Sequence, residues 1–260
     1  MTTERHRCEP LSERTPGEST TASSDSTSYA CTSEERAHDV LRLLAGYVVL
    51  EGRIILDLGC GPNPLSDSFQ QMSSRLVGLD IERHYIEQAK RNTSLQVILA
   101  DATCLPFRDE SFTFVLCNDV LEHVRYHVKL VEDLLRVLAR GGAAYVQCAN
   151  KYQIIEPHFL LPFLSWIPRP FADAYARIAR KGRSYEGYYP STRKELLSLT
   201  SMYRMVDLTY QRTLLKIRAL KIQSKILLRV VLSLRRVLPD EAIASLAQSF
   251  SIISIIVFKD

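Results

Sequence analysis

Residues 53–62 read Arg53-Ile54-Ile55-Leu56-Asp57-Leu58-Gly59-Cys60-Gly61-Pro62, and this stretch decides the fold. Its first six residues form a short apolar run rich in Ile and Leu, which is typical of a strand buried on both faces of a parallel sheet. Gly59 and Gly61 follow directly, and glycine permits a tight turn and a close approach of the backbone to a ligand. The stretch therefore predicts a buried strand that leads into a ligand-binding turn.

The same rhythm of apolar runs and helical stripes continues around this strand. A helix from Ser33 to about Leu50 precedes it, with acidic residues in its first turn and apolar residues at helical spacing. Helices are also predicted up to about residue 73 and at residues 82–92 and 120–138, and strands at residues 76–80, 96–101, 112–117, 143–148, 205–210 and 252–258. Strands that alternate with helices indicate right-handed crossovers and a parallel sheet covered on both faces. The sequence therefore predicts a Rossmann-like, doubly wound α/β fold.

The chain divides into four regions by composition. Residues 1–33 are rich in Ser and Thr and hold almost nothing to bury, so they are predicted to be a disordered tail. Residues 34–150 form the predicted sheet core. Residues 151–203 are rich in aromatic residues and Pro and are predicted to form a helical cap over the carboxyl edge of the sheet. Residues 204–260 are predicted to supply the last strands, with a long basic helical segment at 214–238 between them.

Composition limits the functions that the chain can have. It has 260 residues, of which 46% are hydrophobic and 24% are charged, an ordinary balance for a globular protein. Its net charge of +4 is too small to indicate a nucleic-acid partner. The six cysteines include no CxxC pair and no Cys/His cluster with zinc spacing, so no metal site is predicted, and reduced thiols in a cytoplasmic protein are expected. No apolar signal segment and no uncharged run of membrane-spanning length is visible.

Acidic residues end three consecutive strands of the predicted sheet. Asp57 closes the first strand, Asp80 stands 21 positions after Gly59, and Asp101 closes the third strand. A carboxylate at the position of Asp80 accepts hydrogen bonds from ribose hydroxyls, and one at Asp101 accepts from an exocyclic amine such as that of adenine. Three acids disfavour a pyrophosphate and favour an adenosine that carries positive charge, such as a sulfonium. An NAD-dependent oxidoreductase is a minor alternative, because the third glycine of its usual turn is absent.

With these motifs the chain resembles the class I S-adenosylmethionine-dependent methyltransferases, and within them the type 11 group that includes ubiquinone and menaquinone methyltransferases. The resemblance rests on four segments, ILDLGCGP at residues 55–62, VGLDIERHYIEQA at 77–89, ILADATCLPFRDESFTFVLCNDVLEHV at 98–124 and LLRVLARGGAAYV at 134–146. It implies a transferase with S-adenosylmethionine as cofactor. It also implies a mostly parallel seven-stranded sheet whose last strand is antiparallel.

The resemblance also assigns roles to matching residues. The methionine moiety would be lined by Asp57, Gly59, Cys60 and Gly61, the ribose held by Asp80 beside Ile81, the adenine bound by Asp101 and Ala102, and the methionine end closed by Asn118. The family's usual Asp in the fourth strand is Thr113 here, a position that usually caps structure. The Asn/Asp-Pro-Pro-Tyr motif of nucleobase amino methyltransferases is absent after the fourth strand, which argues against that substrate class.

Methyl transfer from a sulfonium is an in-line displacement, so the protein mainly has to align donor and acceptor and exclude water. A hydroxyl or amine acceptor also needs a base. The candidates are His123 and His127 in the helix after the fourth strand and Glu156 and His158 in the cap, and of these His123, Glu156 and His158 are predicted to be catalytic. A positional role for His123 is an equally good interpretation.

The segment 214–238 carries seven Lys or Arg residues and no acid. Two interpretations stay open, a packed helix with a solvated basic edge and a peripheral helix on an anionic membrane surface. Nucleic-acid binding is less favoured, because too much of the segment is apolar.

The acceptor is predicted to be a small molecule or a lipid- or glycan-linked group, methylated at oxygen. The alternatives are an RNA or protein methyltransferase and a non-catalytic S-adenosylmethionine-binding partner protein. The sequence makes no prediction of the oligomeric state.

Overall fold

The computed structural model describes residues 33–62, 69, 72–73, 75–92, 95–156, 159–179, 185, 187–218 and 225–260. Three predictions fall outside these residues: the disordered tail, most of the helix that ends near residue 73, and the position of His158.

The strands are β1 (Ile54–Leu58), β2 (Arg75–Asp80), β3 (Gln96–Leu99), β4 (Phe112–Asn118), β5 (Leu138–Cys148), β6 (Ile155–Glu156), β7 (Leu161–Pro162), β8 (Arg204–Asp207) and β9 (Ile253–Lys259). The helices are α1 (Ser33–Leu44), α2 (Arg83–Asn92), α3 (His127–Val137), α4 (Arg169–Ile178), α5 (Arg193–Leu199), α6 (Thr209–Arg218), α7 (Lys225–Leu234) and α8 (Asp240–Ala247). Short 3-10 turns lie at Leu121–His123, Leu164–Trp166 and Gln248–Phe250.

Seven strands form one sheet in the order β3-β2-β1-β4-β5-β9-β8. Neighbours from β3 to β5 pair in parallel, and β9 runs antiparallel to both β5 and β8. The predicted Rossmann-like sheet with an antiparallel last strand is therefore confirmed. Leu58 lies opposite Leu79 of β2 and Cys117 of β4, so three strands reach the same edge of the sheet together.

Helices cover both faces of the sheet because its central strands are apolar on both sides. Ile55 and Leu56 of β1 are both fully buried although they point to opposite faces. Leu56 belongs to the cluster that packs against α3, and Ile55 to the cluster that packs against α1 and α2. Residues 149–188 have a smaller apolar cluster of their own, which includes Leu161, Leu164, Ala172, Ala176, Tyr185 and Tyr188.

The helix predicted at 120–138 is wrong at its start. A 3-10 turn occupies Leu121–His123, Val124 is extended, and α3 begins only at His127. The carbonyl of Glu122 accepts a hydrogen bond from the backbone of Tyr189, so a tertiary contact takes the place of a helical one. At the other end α3 stops at Val137 and β5 begins at Leu138, within one residue of the predicted end.

The strand predicted at 205–210 ends at Asp207, because a side chain starts a helix there. The Oδ1 of Asp207 accepts a hydrogen bond from the N–H of Thr209 at 2.8 Å, the pattern of a helix N-terminus. The segment 214–238 contains the end of α6 and the whole of α7, and residues 219–224 lie outside the described residues. Among the helices of the described residues, none is long and apolar enough to cross a membrane.

The expectation of reduced cysteines holds for only part of the chain. Cys60, Cys117 and Cys148 are free and buried. Cys104 is disulfide-bonded, so the expectation is wrong for this residue.

Candidate functional site

The turn after β1 is held in shape by two glycines. Gly59 and Gly61 both have positive φ, at 72° and 61°. A Cβ on Gly59 would lie 2.3 Å from a methyl carbon of Val120, so the turn packs directly against the segment after β4. A Cβ on Gly61 would meet no atom of the described residues within 4 Å, so none of these residues fills the space in front of it at the edge of the sheet. The predicted ligand-binding turn therefore has one glycine for packing and one for access.

Asp80 ends β2 beside this turn and is only 8% exposed. Its Oδ2 accepts a hydrogen bond from the N–H of Gly61 at 2.8 Å, and its Oδ1 accepts one from the N–H of Glu82 at 2.9 Å. Each carboxylate oxygen has more than one acceptor position, so both retain capacity for a further donor. The carboxylate is thus oriented by two backbone groups and fits the two hydroxyls of a ribose.

Asp57 and Cys60 lie deeper in the same edge. Asp57 is 4% exposed and Cys60 is 6% exposed. The thiol of Cys60 points back towards the sheet, because a Cβ on Gly78 would lie 2.9 Å from its sulfur. Burial, followed by the charges of Asp57 and Asp80, raises the pKa of the Cys60 thiol. Cys60 is therefore an inert packing residue, and its contribution to a ligand is limited to its backbone.

The third strand brings Asp101 and Ala102 to the neighbouring position. Asp101 follows β3, and its Oδ1 accepts hydrogen bonds from the N–H and the hydroxyl of Thr103 at 2.8 and 2.9 Å. Ala102 is buried, and Ile81 presents an apolar side chain that is 41% exposed. An exposed aliphatic side chain next to an oriented carboxylate fits a flat heterocycle that carries an amine.

Asn118 ends β4 opposite the glycine turn. Its Nδ2 donates to the Oδ2 of Asp119 at 3.0 Å, whereas its Oδ1 is buried without a hydrogen-bond partner among the described residues. Asp119 has a left-handed backbone, with φ of 59°, and its Oδ1 accepts from the Nε2 of Gln147 at 2.7 Å. The amide of Asn118 is therefore fixed with an open acceptor, which fits the ammonium group of an amino-acid moiety.

Glu122 is a buried carboxyl in the 3-10 turn after β4, with an exposed fraction of 2%. Its Oε1 accepts a hydrogen bond from the N–H of Ala149 at 3.2 Å, and its Oε2 has no hydrogen-bond partner within the described part of the chain. Burial, aided by the charge of Asp119, raises the pKa of Glu122 to about 8. At neutral pH this carboxyl is mostly protonated, so it can donate a hydrogen bond as well as accept one.

Tyr188 connects two of the three predicted catalytic residues. Burial raises the pKa of the Tyr188 phenol, and the charges of Glu156 and Glu122 raise it further, which places both carboxyls near this side chain. Glu156 is fully buried, and its Oε2 accepts from the N–H of Phe159 at 2.6 Å. His123 is exposed, and its ring centroid lies 6.0 Å from that of Tyr188. The third predicted catalytic residue, His158, lies outside the described residues.

A second histidine lies close by. The Nδ1 of His127 is 2.9 Å from the hydroxyl of Ser191, which is itself buried. Burial lowers the pKa of His127, so its ring is neutral at physiological pH. The pair joins the first turn of α3 to the end of the cap segment, by which we mean residues 151–203.

The cofactor residues predicted from the sequence therefore lie along one edge of the sheet, and His123 and Glu156 lie near its Tyr188 side. The sequence interpretation missed the buried carboxyl of Glu122 and the orienting role of Asp119. A signal existed for both. Asp119 belongs to a residue type that tolerates a left-handed backbone, and Glu122 is an acid within an apolar stretch.

Comparisons with known proteins agree with this geometry. Residues 56–146 match the family model described as "Methyltransferase domain". An uncharacterized methyltransferase of Mycobacteroides abscessus is 33% identical over 103 residues, which are 37% of this chain and 40% of that protein. A ubiquinone biosynthesis O-methyltransferase of Coxiella burnetii is 23% identical over 116 residues, 43% of this chain and 50% of that protein. The chain thus spans half or less of the length of these curated relatives.

A solved structure shares the fold of most of this chain. The S-adenosylmethionine-dependent methyltransferase from Mesorhizobium loti superposes with a TM-score of 0.57 at 15% sequence identity. The alignment covers 87% of this chain and 97% of that chain. At this identity the similarity demonstrates a common fold and nothing more specific.

Proposed function

We propose that this chain is a class I S-adenosylmethionine-dependent methyltransferase, which transfers a methyl group from S-adenosylmethionine to an acceptor bound beneath the cap segment. Residues 56–146 support this, because they match the family model of a methyltransferase domain. S-adenosylmethionine, when bound, supplies a methyl group on a positively charged sulfur. The acceptor that we propose is a small molecule or a lipid- or glycan-linked group with a reactive oxygen.

One observation carries the proposal: buried or half-buried polar groups with open acceptor positions end adjacent strands at one edge of the sheet. Asp80 has its carboxylate oriented by two backbone N–H groups, and Asn118 has a buried amide oxygen without a partner among the described residues. Gly61 leaves open space between them. This combination fits a ligand that offers a ribose diol at one end and an ammonium group at the other.

The chain's own contribution to the reaction is orientation and the exclusion of water. Tyr185 and Tyr188 are 4% and 5% exposed, so they shield this edge of the sheet from solvent. A hydroxyl acceptor has to lose a proton as the new bond forms. We propose that His123 takes this role, with Tyr188 beside it, because Glu156 is fully buried and already accepts a backbone hydrogen bond.

The choice of oxygen is supported by one relative and by the site. The Coxiella burnetii protein is, by its name, an O-methyltransferase of ubiquinone biosynthesis. In this chain the apolar cluster of residues 149–188 surrounds the buried tyrosines, which suits an acceptor with an aromatic or aliphatic body. The hydroxyls of Ser165 and Tyr185 are buried within this cluster and interact with each other, so the cluster also contains polar groups that such an acceptor can meet.

We also propose peripheral membrane contact through residues 214–238. Fewer basic residues contribute to this contact than the seven that this segment contains. Arg218 pairs with Glu241 at 2.5 Å and Arg235 pairs with Asp240 at 2.7 Å, so these two charges are neutralised locally. Arg229 and Arg236 are exposed. They share their surface with the exposed side chains of Val230, Leu232 and Val237, as in a helix that lies on an anionic membrane.

The test is transfer of label from S-adenosylmethionine that carries a tritiated methyl group. We expect wild-type protein to label one fraction of a cell extract, the small-molecule or lipid fraction, and Asp80→Asn to label it much more weakly. Asp260→Asn is the matched control, because Asp260 is exposed and follows β9 at the opposite edge of the sheet.

The distribution of label also tests the alternatives. Label in RNA or in protein would contradict the proposed class of acceptor but would still support methyltransferase activity. Folded protein that binds S-adenosylhomocysteine and labels no fraction would contradict catalysis and indicate a non-catalytic partner protein.

A further inference from the structure

A cavity lined by several basic side chains lies between α1 and α6, apart from the proposed cofactor site. It has a volume of about 190 Å³ and is lined from α1 by Asp39, Arg42 and Leu43 and from α6 by Arg212, Leu215, Lys216 and Arg218. Four of these side chains are cationic and one is acidic. Arg212 and Lys216 are four residues apart and Asp39 and Arg42 three apart, so each helix turns one face towards the cavity. None of these residues belongs to the proposed cofactor site.

Arg212 is the unusual member of this set. It is only 9% exposed, and its Nε has no hydrogen-bond partner in the described part of the chain. A guanidinium stays charged at all accessible pH values, and a buried charge is costly unless it is paired. Within the described residues, no carboxylate forms an ion pair with Arg212, whereas Arg218 at the rim is already paired with Glu241. Among the described residues the buried cation therefore has no ion-pair partner, and the one acidic side chain that lines the cavity is Asp39.

A buried network holds Arg212 in place. Its positive charge acts on Tyr145, where it opposes the rise in pKa that burial causes. The hydroxyl of Tyr145 donates to the Oε1 of Gln147 at 3.0 Å, and Gln147 in turn donates to Asp119. Arg212 is thus positioned from behind by side chains that are themselves fixed, which lowers the entropic cost of binding a ligand in front of it.

We propose that this cavity binds a phosphate group. The planar guanidinium presents two parallel donors that match the oxygens of a phosphate, and Arg42 and Lys216 add charge from both helices. The volume is below the range of roughly 300 to 1,000 Å³ typical of sites for drug-sized ligands, so the site suits a single phosphoryl group rather than a nucleotide. The group belongs either to a free phosphomonoester or to the headgroup of an anionic lipid.

The first experiment is a thermal-shift titration with inorganic phosphate at constant ionic strength, with chloride as the reference anion. We expect phosphate to raise the melting temperature of the wild-type protein in a saturable manner. Arg42→Gln removes one charge-assisted contact from an exposed position and should weaken phosphate binding by about tenfold. Arg212→Met should abolish binding, and Arg42→Gln keeps the test valid if the buried variant does not fold.

The matched control is Arg91→Gln, which removes an exposed arginine at the end of α2. It should leave phosphate binding unchanged. The proposal is overturned if phosphate stabilises the wild type no more than chloride does, or if Arg91→Gln weakens the effect as much as Arg42→Gln.

Two further arms identify the source of the phosphate group. Glycerol phosphate that competes with inorganic phosphate, with vesicle binding that Arg42→Gln leaves unchanged, indicates a free phosphomonoester. Vesicle binding that is lost in Arg42→Gln and competed by inorganic phosphate indicates a lipid headgroup. These measurements do not depend on methyl transfer, so the phosphate site and the enzymatic activity can fail separately.

Discussion

At the scale of one residue, Gly61 allows the effect of backbone strain to be distinguished from the effect of blocking the ligand. Its φ of 61° disfavours any side chain, yet a Cβ would meet no atom of the described part of the chain within 4 Å. Gly52 has a φ of 71° and the same open surroundings, but it lies before β1 and away from the strand ends. The two glycines therefore have similar backbone conformations, but only Gly61 lies where the proposed ligand binds.

We predict that Gly61→Ala and Gly52→Ala each lower the free energy of unfolding by about 1 kcal/mol, because both place a Cβ in a left-handed conformation. Only Gly61→Ala should also lose binding of S-adenosylhomocysteine, since its methyl group occupies the proposed ligand space. Urea denaturation and isothermal calorimetry measure the two effects. Equal ligand affinity in the two variants would contradict the placement of the cofactor.

The Glu122 carboxyl should make the stability of the protein depend on pH. Its pKa is about 8 in the folded chain and about 4.3 in an unfolded one, so the folded state holds the proton more tightly. The stabilisation is complete below about pH 4.3 and is lost as the pH rises towards about 8. Between these values we expect this group to contribute a fall of up to about 1.4 kcal/mol per pH unit.

Glu122→Gln should remove that slope, because the amide does not titrate, and should make the variant more stable than the wild type at pH 8. The midpoint of urea denaturation at pH 5, 6, 7 and 8 tests this. If the two proteins show parallel pH profiles, the buried carboxyl does not titrate in this range.

At the scale of elements, the strands followed from the sequence and the helix ends did not. The alternation of short apolar runs and helical stripes placed β1 to β5 in order, because burial on both faces requires continuous apolar residues. The 3-10 turn at Leu121–His123 and the early start of α6 depend on contacts between distant residues. Glu122 accepts a hydrogen bond from Ala149. The side chain of Asp207 caps the start of α6, where local propensity predicts that the strand continues. Local periodicity contains no information on such contacts.

A prediction at the scale of elements concerns the outer face of α7 and the turn after it. Arg229→Glu with Arg236→Glu should reduce co-sedimentation with phosphatidylglycerol vesicles by about 30-fold, at roughly 1 kcal/mol for each basic residue removed. Arg83→Glu with Arg91→Glu changes the same charge on the exposed face of α2 and is the control. Equal loss in both double variants would indicate a general effect of net charge, and wild-type protein that stays in the supernatant at low salt would refute membrane contact.

At the scale of the whole molecule, the small net charge of +4 hides an uneven distribution. Acidic side chains gather at the carboxyl edge of the sheet, and basic ones gather on α6, α7 and the facing side of α1. The acidic group could be predicted residue by residue, because its members end consecutive predicted strands. The basic cavity required the packing of α1 against α6, elements separated by more than 160 residues in sequence, so the residue pattern alone did not reveal it.

The central claim is that the carboxyl edge of the sheet binds S-adenosylmethionine through Asp80. Isothermal calorimetry with S-adenosylhomocysteine tests it most directly, with wild type, Asp80→Asn and the distant Asp260→Asn compared under one set of conditions. We predict one saturable site in the wild type and in Asp260→Asn, a loss of affinity of at least about tenfold in Asp80→Asn, and no binding of NADH. Binding of NADH in place of S-adenosylhomocysteine, or unchanged affinity in Asp80→Asn, would contradict it.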